Sequence, residues 1–303
     1  MSAPKAGRPG ERPPSAAALR AAAGLDARTL RLRARRDVST AIAGAYRSAF
    51  RGRGLTFEEL REYNPGDDVR SIEWNATARL GRPIAKRMRE ERDLIICLVV
   101  DVSTSLDFGY GGSTKRAAAR RAAAALATAA LFTNDRVALA TFAEGRVASL
   151  APSGGPLQLE RILQELCATS TGAKTDPGPA LEWAVTRLPR HTVTILISDF
   201  LFADPGAPLR QCIRKHEVVA LRVADPADTL PRGCAPVRTV GAEADRRGVV
   251  RARRSDKEGK AIGTPLDLGV LHSLGADVGT LWTGSRLMPS LQRFFEERAT
   301  RAV

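Results

Sequence analysis

The chain has 303 residues, 44% hydrophobic and 26% charged, with a formal net charge of +14, which is the composition of a globular protein with a basic surface. No run approaches the roughly 18 apolar residues of a membrane span, and the Ala- and Pro-rich N-terminus lacks the apolar stretch of a secretory signal, so we expect a cytoplasmic protein. Four cysteines without a C-x-x-C pair and three widely separated histidines give no support to a zinc site.

Two segments precede the patterned core of the chain. Residues 1–24 hold four prolines among Ala, Arg and Gly, and we predict a disordered basic tail. From about residue 25 to residue 50, apolar residues recur at helical spacing, which predicts one or two helices. We assign residues 25–92 to an N-terminal segment that packs on the core, and residues 93–303 to the core domain.

Turn residues and charges dominate the later part of the N-terminal segment. The sequence Asn64-Pro65-Gly66-Asp67 predicts a turn, because proline presets φ and glycine accepts conformations that other residues avoid. Asp67 or Asp68 can then cap a short helical turn that leads to Trp74, which we interpret as an apolar anchor. The interleaved acids and bases of this segment predict internal ion pairs in preference to a catalytic cluster.

From residue 94 onward, apolar strands alternate with helices. Leu94–Val100 is an apolar run rich in β-branched residues, which predicts a strand buried on both faces. This alternation predicts an α/β fold, with a mostly parallel, Rossmann-type sheet covered by helices on both faces. The polar, basic insertion near residues 225–263 predicts an exposed strand or hairpin. Further strands are predicted at 135–142, 146–150 (antiparallel), 192–197, 217–223 and 277–282, and helices at 114–133, 156–167, 175–188, 203–215, 266–274 and 287–298.

Three loops at one edge of this sheet carry oxygen ligands. Asp101, Ser103 and Ser105 follow the first buried strand at alternate positions, so their side chains point the same way in an extended segment. Asp199 follows the 192–197 strand, and Thr175 lies at the start of a helix that we expect to begin at the same carboxyl edge. Two carboxylates and three hydroxyls suit Mg²⁺ or Mn²⁺ and disfavour zinc. The sequence therefore predicts a divalent-cation site with an open position that a partner's acidic group can fill.

The D-x-S-x-S pattern alone is weak, because Asp, Ser and Thr are also common turn and cap residues. Two further features favour the metal site: the second buried strand also ends in an acid, Asp199, and Thr175 stands at a helix start. Thr171 competes with Thr175 for the third hydroxyl. We prefer Thr175 because a Thr-Asp pair directly before a helix is also a natural capping position.

The D-x-S-x-S pattern, followed by a later Thr and a later Ser-Asp after a strand, resembles the metal-ion-dependent adhesion site of von Willebrand factor A domains. By this resemblance, the hydroxyls of Ser103, Ser105 and Thr175 would be ligands. Asp101 and Asp199 would bind the ion directly or through water.

The upstream segment is similar to the signature of a bacterial family catalogued as domain of unknown function 58. The chain departs from that family at Glu73, where the family usually shows Asp, and at Asp225-Pro226-Ala227-Asp228, where it more often shows Asp-Pro-Arg-Glu. The motifs shared with the family are Gly54-x-x-Phe57, Leu60-Arg61, Tyr63, Pro65-Gly66-Asp67-Asp68-x-Arg70, Ile72-x-Trp74, Ala78-Arg79, Glu90-Glu91-Arg92, Phe108-Gly109, Asp135-Arg136-Val137 and Ser198-Asp199-Phe200.

Members of that family are typically encoded beside MoxR-type AAA+ ATPases. The resemblance therefore implies a von Willebrand factor A-like domain and a non-enzymatic, metal-dependent protein-interaction role, as an adaptor or co-chaperone. The implied partner is a protein that offers an acidic residue, either the ATPase or its client.

Two other functions are weighed against this one. A Mg²⁺-dependent phosphoryl-transfer or hydrolytic enzyme would use Asp101 as nucleophile, but such enzymes on similar sheets resemble D-x-D, and here Ser103 stands at the second position. A nucleic-acid-binding protein would account for the net charge, but scattered arginines and only 5% aromatic residues favour a solvated basic surface. The Gly-rich stretch 109–115 lacks the Gly-Lys-Ser/Thr order of a phosphate loop, so nucleotide binding is disfavoured.

Overall fold

The computed structural model describes residues 27–38, 40–50, 55–64, 67–90, 94–107, 109, 113–143, 146–168, 175–225, 228, 237–240, 247–250 and 266–301. The predicted tail at 1–24, the competing Thr171 and most of the 225–263 insertion lie outside these residues, as do several residues of the shared motifs. Within the described residues, no helix has both the length and the apolar character required to cross a bilayer.

The secondary structure follows the predicted alternation along the chain. The helices are α1 (Ala27–Asp37), α2 (Thr40–Phe50), α3 (Trp74–Leu80), α4 (Lys115–Phe132), α5 (Gly155–Cys167), α6 (Gly178–Arg187), α7 (Ala207–Lys215), α8 (Leu268–Ser273) and α9 (Leu287–Arg301). The strands are β1 (Leu55–Glu62), β2 (Ile84–Glu90), β3 (Ile95–Asp101), β4 (Arg136–Ala143), β5 (Arg146–Ser153), β6 (Val193–Ser198), β7 (Glu217–Ala224), β8 (Val237–Val240), β9 (Arg247–Val250) and β10 (Asp277–Trp282). Single 3₁₀ turns cover Val69–Ser71, Thr104–Asp107 and Gly284–Arg286.

A six-stranded sheet with the order β10-β7-β6-β3-β4-β5 forms the centre of the fold. All its neighbouring strands are parallel except β4 and β5, which pair antiparallel at one edge. The predicted α/β class and mostly parallel sheet are therefore confirmed. The order of the sheet reverses between β3 and β6, the point where ligands bind in open α/β sheets, outside the carboxyl ends of the strands.

Both faces of the sheet are covered, as the continuous apolar character of β3 predicts. Ile96, Leu98 and Val100 pack into one apolar cluster, with buried side chains of α1, α2, α4, α5 and α9. Cys97 and Val99 point to the other cluster, with side chains of α6, α7 and α8. The alternation of β3 residues between two cores follows from the two-residue period of a strand.

Residues 55–90 contain two strands that we did not predict. β1 pairs antiparallel with β2, and the intervening chain holds the 3₁₀ turn and α3. Asp68 caps the 3₁₀ turn by accepting a hydrogen bond from the Arg70 N–H, at 2.9 Å, as the sequence predicts. The predicted ion pairing is also present: Arg61 contacts Asp67 at 2.7 Å. The assignment of 25–92 as a segment packed on the core stays a prediction for this hairpin.

Trp74 does not act as an apolar anchor. It begins α3, a helix without any buried side chain, and 67% of its surface is exposed. Glu73 caps this helix, and Trp74 occupies the first helical position with its side chain toward solvent. The interpretation of Trp74 as buried was wrong because it took aromatic character as a sign of burial in a segment with few apolar neighbours.

Two helices begin later than their sequence patterns predict. α6 begins at Gly178 instead of residue 175, and α7 at Ala207 instead of residue 203. Before each helix an aspartate accepts a hydrogen bond from the backbone N–H two residues ahead, Asp176 from Gly178 and Asp204 from Gly206, both at 2.8 Å. These local turns hold the chain outside the helix for one more turn than the apolar spacing indicates.

Candidate metal centre

The loop after β3 folds its polar side chains onto one another. Asp101 is 1% exposed, and its Oδ1 accepts the Ser103 N–H at 2.9 Å. The Ser103 and Ser105 hydroxyl oxygens lie 2.8 Å apart, and both residues are buried. The three predicted ligands of this loop are therefore gathered at the carboxyl end of the central strand.

The neighbouring strand β6 brings the second predicted acid to the same point. Val100 pairs with Ile197, so Asp101 and Ser198 end their strands side by side. The Ser198 hydroxyl donates to Asp101 Oδ2 at 2.6 Å, and the next residue, Asp199, is also buried. Asp199 Oδ1 accepts the Leu201 N–H at 3.2 Å, whereas its buried Oδ2 has no hydrogen-bond partner in the described part of the chain.

Burial shifts the ionisation of both carboxylates, and the charge of Asp199 adds to the shift of Asp101. Burial, and then the charge of Asp199, raise the pKa of Asp101 to about 6, against the lowering effect of its hydrogen bonds with Ser103 and Ser198. Burial also raises the pKa of Asp199, opposed mainly by the positive charge of Lys115. A pair of acids in this state has negative charge that a bound cation would neutralise.

Thr175 lies three residues before α6. Its hydroxyl oxygen is buried and has no hydrogen-bond partner among the residues that the structure describes. The carboxyl edge is where α6 begins, because β6 follows the end of this helix after only five residues and runs back across the sheet. Thr175 does not cap the helix, since Asp176 supplies the local hydrogen bond. The Thr175 hydroxyl is therefore a candidate metal ligand that makes no hydrogen bond to another described residue.

One charged residue of this site, Lys115, was not predicted from the sequence. Lys115, the first residue of α4, is 3% exposed, and its Nζ lies 3.8 Å from Asp199 Oδ2 and 2.8 Å from Asp228 Oδ1. The signal was present: a lysine in the first turn of a helix opposes the helix dipole and needs a compensating reason. The following residue, Arg116, likewise pairs with Asp107, at 2.6 Å, and donates to the Val102 and Ser103 carbonyl oxygens.

The donor set fits a hard divalent cation. Among the described residues, no three His, Cys, Asp or Glu side chains form a metal-binding group, so an ion here would depend on hydroxyls beside its two carboxylates. Oxygen ligands of this kind suit Mg²⁺ and Mn²⁺. The buried oxygens Asp199 Oδ2 and Thr175 Oγ1, which have no hydrogen-bond partner among the described residues, are the atoms that such an ion would satisfy.

Fold and site together define an α/β protein whose sheet carries acids and hydroxyls at its switch point. The model of the family described as Protein of unknown function DUF58 matches residues 59–257. Uncharacterized proteins of Mycobacterium tuberculosis and Mycobacterium bovis are each 31% identical over 292 residues, covering 91% of this chain and 90% of theirs. The chain belongs to the DUF58 family.

Solved structures with similarity to this chain include two Bacteroides proteins and a von Willebrand domain. The conserved hypothetical protein BatB of Bacteroides thetaiotaomicron is 18% identical, with a TM-score of 0.44 over 68% of this chain and 99% of its own. An aerotolerance-related membrane protein of Bacteroides fragilis is 19% identical, with a TM-score of 0.40 over 69% and 99%. A von Willebrand factor type A protein of Catenulispora acidiphila is 11% identical, with a TM-score of 0.38 over 71% and 45%.

Proposed function

We propose that this chain is a non-enzymatic, metal-ion-dependent protein-interaction module. Its site would hold one Mg²⁺ or Mn²⁺ through the side chains of Asp101, Ser103, Ser105, Thr175 and Asp199. When bound, the ion would supply a coordination position for a carboxylate of a partner protein, because two protein carboxylates leave positions of an octahedral ion open. The partner would therefore be recognised by an acidic residue on its surface.

The observation that carries this proposal is the paired burial of Asp101 and Asp199 at the ends of adjacent strands. Two acids kept out of water need a compensating charge or a proton. Asp101 accepts hydrogen bonds at both carboxylate oxygens, but Asp199 Oδ2 accepts none from the described residues. A divalent cation between the two loops would neutralise both acids and provide that oxygen with a ligand bond.

The remaining acid of the Asp101 loop supports an interaction role over catalysis. Both carboxylate oxygens of Asp107 accept hydrogen bonds from Arg116, at 2.6 and 3.0 Å, so this acid is already paired. Ser103 occupies the position where D-x-D enzymes have their second acid, and its hydroxyl contacts Ser105. The site offers ligands for an ion and lacks a second acid poised for phosphoryl transfer within the described residues of this loop.

We further propose that the partner is a MoxR-type AAA+ ATPase or its client, so that the chain acts as an adaptor or co-chaperone. The support is the family membership together with the open ligand position at the site. A change in coordination at the ion would shift the Asp101 and Asp199 loops, and metal binding would thereby regulate partner affinity.

The test begins with thermal unfolding of the full chain in Mg²⁺ and Mn²⁺. We expect both ions to raise the Tm of the wild type and of Asp204→Asn, a control that removes an exposed acid at the same edge. Asp101→Ala should show no metal-specific rise. Equal responses of wild type and Asp101→Ala would contradict the metal site.

The partner is tested separately with the MoxR-type ATPase of the native host. The tagged wild-type chain should retain the ATPase in Mg²⁺ and release it in EDTA, and Asp101→Ala should retain little in either buffer. Retention that is equal with and without the ion would contradict metal-dependent docking, even if the chain binds the metal.

A further inference from the structure

The buried ammonium of Lys115 lies between the candidate ligand Asp199 and a second acid, Asp228. Its Nζ is 2.8 Å from Asp228 Oδ1, a hydrogen-bond distance, and 3.8 Å from Asp199 Oδ2, which exceeds one. Lysine is almost never fully buried unless it is paired with an acid. The pairing here is unequal: Asp228 accepts the hydrogen bond, and Asp199 Oδ2 feels the charge at a longer distance.

Asp228 is held in place by hydrogen bonds from its own turn. Its Oδ2 accepts the Asp225 N–H at 2.8 Å, and the Asp225 carbonyl oxygen accepts the Asp228 N–H at 2.9 Å. Asp225 is itself buried, and its Oδ2 accepts the Thr283 hydroxyl at 2.6 Å. Thr283 follows β10, so the turn is tied to the two strands β7 and β10. Asp228 is therefore connected to the sheet through its hydrogen bonds with Asp225, in addition to its contact with Lys115.

The position of Lys115 in its helix is locally unfavourable. It occupies the first turn of α4, where the helix dipole disfavours cations, directly after the cap Thr114, whose hydroxyl accepts the Ala117 N–H at 3.1 Å. A local rule broken at a buried site is commonly a sign of function. The ammonium lies beside Asp199 Oδ2, which has no hydrogen bond from the described residues. This location indicates that the function of Lys115 concerns the metal site.

We propose that Lys115 is a resident cation that competes with the divalent ion for Asp199, and that Asp228 sets the strength of this competition. This inference rests on the proposed function, because it concerns affinity at the same metal site. Asp228, which lies where the chain departs from the family pattern, is thereby assigned as the residue that tunes the site. Lys115 and Asp228 are positioning residues and not ligands.

The two charges act in opposite directions on metal affinity. With the ammonium bonded to Asp228, Asp199 Oδ2 stays available to an arriving ion, and the repulsion between ion and ammonium is partly offset by the Asp228 charge. Without Asp228, the ammonium would settle on Asp199 and the ion would have to displace it. Without Lys115, the ion would meet two acids with no competing cation.

The test is a double-mutant cycle on Mg²⁺ affinity, measured by calorimetry on the full chain at constant ionic strength. Lys115→Met should bind Mg²⁺ about tenfold or more tightly than the wild type, since one positive charge beside the ion is gone. Asp228→Asn should bind it several-fold more weakly. In the Lys115→Met background, the effect of Asp228→Asn should become much smaller, because no ammonium remains to be held back.

The exposed ion pair between Arg31 and Glu160 supplies matched controls for charge alone. Arg31→Met and Glu160→Gln should bind Mg²⁺ like the wild type. Thermal unfolding in EDTA gives a second readout: Lys115→Met should have a lower Tm, and Mg²⁺ should raise it by more than it raises that of the wild type. If Lys115→Met folds only in Mg²⁺, the test is the Mg²⁺ affinity of Asp228→Asn alone. Weaker binding than the wild type supports the competition, and an unchanged affinity overturns it.

The outcomes separate this inference from the proposed function. A wild type that does not bind Mg²⁺ overturns both. A wild type that binds Mg²⁺, with Lys115→Met and Asp228→Asn unchanged in affinity, overturns only the competition. Lower stability of Lys115→Met without a change in affinity would show that the ammonium is only a structural counter-ion.

Discussion

Asp101 is an acid kept where its negative charge is unfavourable. It is buried at the end of β3, close enough to Asp199 that the second charge also raises its pKa, to about 6. Hydrogen bonds from the Ser103 N–H and the Ser198 hydroxyl reduce this penalty without removing it. Such a group is stable in the folded chain when it holds a proton or faces a cation.

This state of Asp101 predicts a pH dependence of stability in metal-free protein. Because the folded pKa lies above the unfolded value of about 3.9, the stabilising contribution is full below that value and is lost as pH rises through 6. Between pH 5 and 7.5 in EDTA, the free energy of unfolding should therefore fall by about 1–1.5 kcal/mol more in the wild type than in Asp101→Asn, because part of the contribution is already lost by pH 5. Urea unfolding at both pH values measures this difference.

Asp101→Asn is the matched control because it removes the titrating group and leaves the other ionisable side chains in place. Parallel changes in the two proteins would show that Asp101 does not titrate in this window. In saturating Mg²⁺, the loss in the wild type should be largely restored at pH 7.5, because the ion binds the ionised form of the site.

At the scale of single residues, the polar side chains at the strand ends can be located from the sequence, whereas their charged neighbours cannot. Asp101, Ser103, Ser105 and Asp199 stand at the end of an apolar strand or within four residues of it, and the structure brings their loops together; their role as ligands stays a prediction. Lys115 was not identified, since its partner Asp228 lies 113 positions further along the chain and only the fold brings them within 2.8 Å. Its unfavourable place at a helix start was the available signal.

Among the elements, the contact between β10 and α9 depends on one small residue. Gly279, in the middle of β10, lies under the ring of Phe294 from α9, and a Cβ at this position would come within 2.9 Å of the ring Cε2. Phe294 in turn packs on Phe295, which is fully buried in the same cluster as Tyr46 and Phe50. Close approach of helix to strand is the reason for glycine here.

We therefore expect Gly279→Ala to lower the free energy of unfolding by about 1–3 kcal/mol, as overpacking does in a well-packed core. Gly154→Ala is the control: its φ of −106° is ordinary, and a Cβ there meets no atom within 4 Å. Denaturant unfolding of both variants measures the effect. If the two variants unfold alike, the contact of β10 with α9 is looser than the structure indicates.

Prediction of elements succeeded where apolar periodicity is strong and failed where charges replace it. β3, β4, β6, β7 and β10 were predicted within about two residues at each end, because their apolar runs are nearly continuous. β1 and β2 were not predicted, since four of the eight residues of LTFEELRE and four of the seven of IAKRMRE are charged, which leaves no apolar run. The starts of α6 and α7 were displaced by Asp176 and Asp204, whose turns carry no apolar signal.

For the molecule as a whole, the order of the strands places the site. β3 and β6 are adjacent at the switch point, so two loops separated by nearly 100 residues meet at one sheet edge. Alternating strands and helices predict the parallel sheet, but the strand order itself comes from packing between distant segments and is not visible in any local pattern. Thr175 belongs to this edge because it precedes α6, and β6 follows α6 after only five intervening residues and runs back to its own carboxyl end.

The central claim is that this edge of the sheet binds one hard divalent cation, and electron paramagnetic resonance of Mn²⁺ tests it most directly. Titrated with Mn²⁺, the full wild-type chain should remove one equivalent from the free-ion signal, and Mg²⁺ should release it. Asp101→Ala and Asp199→Ala should each remove much less, while Asp204→Asn should behave as the wild type. A free-ion signal that is unchanged by the wild-type chain, or lowered equally by wild type and Asp101→Ala, would contradict the account.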